Sequence, residues 1–166
     1  MCCRSFAIVG VLAFLAPMPA FASDCLGWKA EVWEVEGGRA LTAHICTPAS
    51  GAERQAMLYL QCGEKGAYAL RFDDGGAGDP PNGDPEWHGR IVFSDGRQRL
   101  DVAMTYEAMD GVLYAPAAFA GPLVDMLSHS ASITLTPDEK TFKARTFTLK
   151  GSGTALARLA RACSGR

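Results

Sequence analysis

The run from Arg99 to Glu107 constrains the fold more than any other segment. Leu100, Val102, Met104 and Tyr106 fall in one phase of a two-residue period, and Arg99, Asp101, Thr105 and Glu107 fall in the other. Successive side chains of an extended chain point to opposite faces, so this segment predicts a strand with one dry and one wet face. Ala67 to Phe72 repeats the pattern with Tyr68, Leu70 and Phe72, and Trp87 to Phe93 carries Trp87, Ile91 and Phe93 in phase.

Turn residues separate such runs and suggest a meander of hairpins. Asp95-Gly96 follows Val92-Phe93 and precedes Leu100, and an Asp-Gly pair supplies the positive φ that a tight hairpin needs. Gly37-Gly38 is expected to turn Trp28–Val35 back into Ala40–Cys46. Gly63 to Gly66 joins Met57–Cys62 to Ala67–Phe72, and Pro137-Asp138 joins Ser132–Thr136 to Thr141–Lys150. Two segments favour helix. Pro122 to Ser128 opens on a proline suited to a first helical turn. Gly153 to Ala162 has Ser152 as candidate N-cap and repeats Leu156, Leu159, Ala160 and Cys163 at helical spacing, with Arg158 and Arg161 on its outer side. The expected fold is mainly β, an antiparallel β-sandwich of about eight or nine strands with a short internal helix and a C-terminal helix. A barrel of similar strand number is the alternative.

Residues 1–22 read as a cleavable signal peptide. Arg4 supplies the charged start, Ser5 to Ala16 the uncharged core, and Ala20-Phe21-Ala22 the small residues before a cut expected after Ala22. The apolar core is short against the roughly 20 residues of a membrane helix. Cys25 is not read as a lipid anchor, because Asp24 stands where a lipobox needs a small residue. Residues 23–166 then form a single domain without stable membrane insertion, periplasmic or secreted. The formal charge of −2 becomes more negative once Arg4 leaves, which gives no basic footprint for nucleic acid.

Of six cysteines, Cys2 and Cys3 leave with the leader, and Cys25, Cys46, Cys62 and Cys163 remain. An even number in an exported chain reads as two disulfides. Metal binding is not expected, since the nearest two of these cysteines are 16 positions apart. A hairpin about Gly37-Gly38 brings the start of its first strand beside the end of its second, and so Cys25 near Cys46. Cys46 and Cys62 lie at far ends of successive strands, about 20 Å apart if these are neighbours. The favoured pairing is therefore Cys25 with Cys46 and Cys62 with Cys163, the second tying the terminal helix to a central strand.

Phe147-Thr148-Leu149-Lys150-Gly151-Ser152-Gly153-Thr154-Ala155-Leu156, within Lys143 to Cys163, resembles the ending of exported proteobacterial proteins related to type VI secretion-associated accessory proteins. Those end in a strand, a glycine, an alanine-leucine helix and a final cysteine. A similar ending occurs in the invasion-associated locus B family. Leu58-Tyr59-Leu60-Gln61-Cys62-Gly63 followed by Tyr68-Ala69-Leu70-Arg71-Phe72 is also similar to the strand, cysteine, hairpin and strand unit of the type VI accessory group. The resemblance implies a periplasmic β-sandwich with a stapled terminal helix and no known catalytic residues. The stretch Asp73 to Trp87 and the spacing of the first cysteine pair depart from the pattern.

His44, His88 and His129 stand in no nucleophile motif and read as surface or satisfied histidines, so no catalytic residue is assigned. Asp73, Asp74, Asp79, Asp84 and Glu86 miss the EF-hand spacing and read as hydrating a turn. Gly75-Gly76-Ala77-Gly78 lacks the lysine of a phosphate loop. Trp28, Trp33 and Trp87 read as core or sheet cover, and Met104 and Met109 as packing residues beside strands. The stretch with Asp73, Asp74, Asp79, Asp84, Glu86 and Trp87 is the candidate binding loop, because long loops on a rigid β scaffold carry function. The expected function is a non-enzymatic envelope protein that binds a protein partner, without cofactor, with secretion as the setting that the resemblance implies. The alternative is a small exported inhibitor or ligand carrier, similar to periplasmic lysozyme inhibitors.

Overall fold

The computed structural model describes residues 25–49, 54–64, 66–76 and 78–164, so the expected signal peptide and the cut expected after Ala22 lie outside the described residues. The strands are β1 (Lys29–Val35), β2 (Gly38–Cys46), β3 (Met57–Cys62), β4 (Ala67–Asp73), β5 (His88–Ser94), β6 (Arg99–Glu107), β7 (Val112–Ala118), β8 (Ser132–Pro137) and β9 (Arg145–Thr148). Helix α1 (Pro122–His129) lies between β7 and β8, and α2 (Ser152–Cys163) follows β9.

The protein is mainly β, and every strand pair is antiparallel. The strands form one sheet, in the order β1-β2-β3-β4-β7-β6-β5-β8-β9, where the sequence suggested two. The reason lies in β6 and β7, which are bonded over three residue pairs, from Thr105↔Tyr114 to Glu107↔Val112. This short seam joins a half made of β1 to β4 and β7 to a half made of β5, β6, β8 and β9. The sheet curls across it, so that Phe72 of β4 meets Phe147 of β9 edge to face at 6.2 Å. The two halves belong to one continuous ladder, an arrangement compatible with the expected sandwich.

The dry phase of β3 to β9 lines the inside of the curl. Leu58, Leu60, Leu70, Phe72, Ile91, Phe93, Met104, Leu113, Ile133, Leu135 and Phe147 are buried there. The helices add Leu123, Val124, Met126 and Leu127 from α1 and Ala155, Leu156 and Leu159 from α2 to the same core. Trp28 closes the gap between the two ends of the sheet. Its backbone N–H donates to the Lys150 carbonyl at 2.8 Å and its indole N–H to the Thr148 carbonyl at 3.1 Å, which occupies acceptors beside an edge strand. Arg158 of α2 donates to the Ala30 carbonyl of β1 at 2.8 Å.

Four local expectations need correction. The Ser152 hydroxyl donates to the Leu149 carbonyl at 2.7 Å, and Gly151, in the left-handed region, takes the N-cap position of α2. The strand expected over Thr141–Lys150 shortens to Arg145–Thr148, because a turn at Glu139–Phe142 drops Phe142 into the core beside Tyr106. Met109 is 89 % exposed in the β6–β7 turn, whereas Met104 is buried. The Asp95-Gly96 connection runs to Gln98, with positive φ at Gly96 and the Asp95 carboxylate accepting the Arg97 and Gln98 N–H groups at 2.8 and 2.7 Å. Among the described residues no helix is long and apolar enough to cross a membrane.

Candidate functional site

The wet phase of the strands makes the outer face of the sheet, and its two halves differ. On β8 and β9 it carries Ser132, Thr134, Thr136, Thr146 and Thr148, small polar side chains of an ordinary solvated surface. On β1 to β4 and β7 it carries Trp33, His44, Tyr59, Arg71 and Tyr114. The register sets His44 opposite Tyr59, Tyr59 opposite Arg71 and Arg71 opposite Tyr114, a row of large side chains across four strands. No helix covers this row, because the buried faces of α1 and α2 belong to the core on the other side of the sheet.

At the β1 end, the Trp33 ring lies 4.8 Å from His44 and 5.4 Å from Tyr59, centroid to centroid. His44 Nε2 is 3.4 Å from a Glu31 carboxylate oxygen. Burial pushes the His44 pKa below its ordinary value, against the opposing pull of Glu31. Burial also pushes the Tyr59 hydroxyl up to about 12, so it stays protonated and remains a hydrogen-bond donor.

The middle of the row is a polar network. Arg71 donates from Nε and Nη2 to the two Glu107 oxygens and from Nη1 to Gln61 Oε1 at 3.1 Å. Gln61 in turn donates to Thr42 Oγ1 at 2.9 Å, and the Arg71 guanidinium lies 5.5 Å from the centre of the Tyr114 ring. Burial disfavours the Arg71 charge, but the hydrogen bonds and charge of Glu107 outweigh it and raise the pKa further. Above this network runs a shallow groove of about 510 Å³, lined by Val35, Gln61, Glu64, Arg71, Glu107 and Tyr114 among others. A groove of this kind suits a flat or extended partner surface better than an enclosed small molecule.

The candidate loop divides into inward and outward residues. Asp74 is buried, and its carboxylate accepts the Gly76 and Lys143 backbone N–H groups, each at 2.8 Å. The Asp74 carbonyl accepts Arg145 Nε at 2.8 Å, so this residue fastens the loop to the start of β9. Asp73 accepts the Gly75 N–H at 2.8 Å and faces Arg54 at 3.8 Å, and Trp87 is buried in the core. Asp79, Asp84 and Glu86 remain exposed, with Asp84 accepting the Glu86 N–H at 2.9 Å. The Tyr106 hydroxyl donates to the Gly78 carbonyl, and Gly78 packs on Gly111, which sets the loop beside the β6–β7 turn and Glu107.

Two disulfides tie the site to the frame. Cys25–Cys46 spans 5.0 Å between α-carbons and joins the entry of β1 to the end of β2. Cys62–Cys163 spans 5.3 Å and joins β3 to the last turn of α2. His129 pairs with Asp125 at 3.0 Å on the exposed side of α1, and His88 lies exposed on β5, so the three histidines sit on separate elements. Among the described residues no group of three His, Cys, Asp or Glu side chains is gathered as a metal site.

Sequence reasoning read Trp33 as core or sheet cover and His44 as a surface or satisfied histidine, and passed over Tyr59, Arg71, Glu107 and Tyr114. The available signal was their phase. Tyr59 and Gln61 alternate with Leu58 and Leu60, and Arg71 alternates with Leu70 and Phe72, so bulky planar groups recur where small polar residues would suffice. Comparison with protein-family models, with curated proteins and with solved structures found no match.

Proposed function

We propose that this chain is a non-enzymatic exported module that binds a protein partner through the outer face of β1 to β4 and β7, with the exposed acids of the Asp73–Trp87 loop at its rim. The row Trp33–His44–Tyr59–Arg71–Tyr114, left uncovered by both helices, carries this reading. Tryptophan, tyrosine and arginine dominate the energetics of protein interfaces, since each offers a large rigid contact area together with a polar tip. A shallow groove surrounded by such residues fits that use. Export is supported by the leader-like residues 1–22 and by the two disulfides, which persist in oxidising compartments. The periplasm is the compartment that the resemblance of the Lys143–Cys163 ending favours, and an envelope secretion assembly is the partner source to examine first.

The test is capture from periplasmic extract on the immobilised, oxidised chain from Ser23 to Arg166. Trp33→Ala and Tyr114→Ala are expected to lower capture of a specific partner tenfold or more, on the scale of about 1.4 kcal/mol per decade. A chain changed at Asp84 and Glu86 should lose much less, as rim positions do. Background alone on the unaltered chain, or a partner indifferent to Trp33 and Tyr114, overturns the proposal.

A further inference from the structure

One buried atom at this face has no hydrogen-bond partner among the described residues. His44 is 9 % exposed, and its Nδ1 is a buried polar atom without a hydrogen bond among the described residues. Nε2 faces the Glu31 carboxylate and so carries the proton of the neutral ring, which leaves Nδ1 bare. Protonation would put an N–H on that buried atom, and a buried donor without an acceptor is costly to keep.

The groups facing the ring come from two strands. Lys29 and Glu31 approach from β1, and the Tyr59 hydroxyl-bearing ring lies opposite on β3, while α2 packs against the other face of the sheet. Glu31 favours the cation but is more than half exposed, so solvent weakens its pull, and Lys29 opposes it. The surroundings yield more easily on one side. β3 is bonded to β2 and β4, whereas β1 is the edge of the sheet, has β2 as its sheet neighbour and carries the partly buried Trp33.

We propose that His44 is an acid-sensitive latch: protonation of its ring displaces Trp33 from the outer face and reshapes the surface that takes the partner. The latch deepens the recognition proposal and rests on it for its use, but it can be observed without any partner. Its sign follows from the shift. In the packed arrangement the His44 pKa lies below the ordinary 6.5, so a released His44 binds protons more readily than a packed one. The packed state is therefore fully favoured above pH 6.5 and loses ground as the pH falls through the lowered value.

The experiment follows the His44 ring and the Trp33, Trp28 and Trp87 indole signals of the oxidised chain by NMR, from about pH 8 to about pH 4. His44 should titrate below 6.5, and the Trp33 indole should move with the same midpoint while Trp28 and Trp87 stay still. Glu31→Gln should lower that midpoint further. His44→Phe, which keeps a ring, and His44→Gln, which keeps polarity, should both abolish the Trp33 transition. A His44 midpoint at or above 6.5, a Trp33 signal unmoved while His44 titrates, or a transition that survives in a folded His44 variant overturns the latch. Capture at neutral pH reads the recognition proposal separately, because none of these titration outcomes needs a partner.

Discussion

Arg71 grips Glu107 with two nitrogens, Nε to Oε2 at 2.6 Å and Nη2 to Oε1 at 3.3 Å. The pair crosses from β4 to β6 over β7, so it spans the seam where the two halves of the sheet share three residue pairs. Both side chains are more than two-thirds buried, which makes the loss of one partner costly to the other.

Arg71→Ala strands the Glu107 carboxylate and removes the donor to Gln61, and we expect it to cost about 2 kcal/mol, on the scale of hydrogen bonds to charged groups. Arg71→Lys should recover less than half, because an ammonium cannot reproduce the forked geometry. The double replacement Arg71→Leu with Glu107→Leu should cost less than the sum of the single changes, by about 1 kcal/mol or more. Urea midpoints at constant slope measure all three, and strict additivity would show that the pair carries no coupling.

The disulfides differ in the length of chain they close. Cys62–Cys163 has a sequence separation of 101 and Cys25–Cys46 of 21. Loop-closure entropy then assigns about 5 kcal/mol to the first and about 3 kcal/mol to the second. Replacing Cys62 and Cys163 by alanine should therefore lower the denaturant midpoint more than replacing Cys25 and Cys46. It should also loosen α2, visible as faster amide exchange from Ser152 to Cys163. Equal losses from the two removals would mean that loop length does not set the ranking.

Strand content was legible because burial enforces a period of two. Arg99–Glu107 and Met57–Cys62 stand where the alternation put them, and Leu156, Leu159 and Cys163 form the buried stripe of α2. β7 was harder to read, since Ala115, Ala117 and Ala118 give a weak apolar signal and Pro116 argues against a strand. Pro116 is tolerated because the ladder to β6 ends at Tyr114, which leaves that edge of β7 open beyond it. The two halves join through the local β6–β7 hairpin, whose Asp110-Gly111 turn has positive φ at Gly111, whereas the pairing of β4 with β7 and of β5 with β8 is a tertiary fact with no local signature. The same holds for the candidate site. Trp33, His44, Tyr59, Arg71 and Tyr114 lie far apart along the chain, and only strand order makes them neighbours.

Asp95 offers a pH test. The Ser130 hydroxyl donates to its Oδ2 at 2.7 Å, and with the Gln98 and Arg97 N–H groups it holds the carboxyl pKa at about 2, down from 3.8. A lowered folded pKa gives stability that is present above 3.8 and lost as the pH falls through about 2. Ser130→Ala should raise the Asp95 pKa toward 3.8, measured by carboxyl NMR titration, and Asp95→Asn should flatten the acid limb of the thermal stability curve in that window. An Asp95 pKa unmoved in Ser130→Ala would show that the turn N–H groups alone set it.

Gly89 and Trp87 give the most severe prediction for a single methyl group. Gly89 precedes Ile91 and Phe93 in the inward phase of β5, and the ring of Trp87, just before the strand, folds over Gly89, so that a Cβ at position 89 would overlap the indole. The Trp87 N–H donates to the Asp84 carbonyl at 3.2 Å and its carbonyl accepts the Tyr106 N–H at 2.9 Å, so the backbone cannot shift without breaking bonds at the end of the Asp73–Trp87 loop. Gly89→Ala must therefore move the ring, and overpacking a filled core costs about 1 to 3 kcal/mol. The expected readouts are a lower denaturant midpoint and a red-shifted, more quenchable tryptophan emission. Pairing Gly89→Ala with Trp87→Leu, which shortens the side chain over the glycine, should recover part of the Gly89→Ala loss. If Gly89→Ala leaves both stability and emission unchanged, the indole does not pack over β5 in this way.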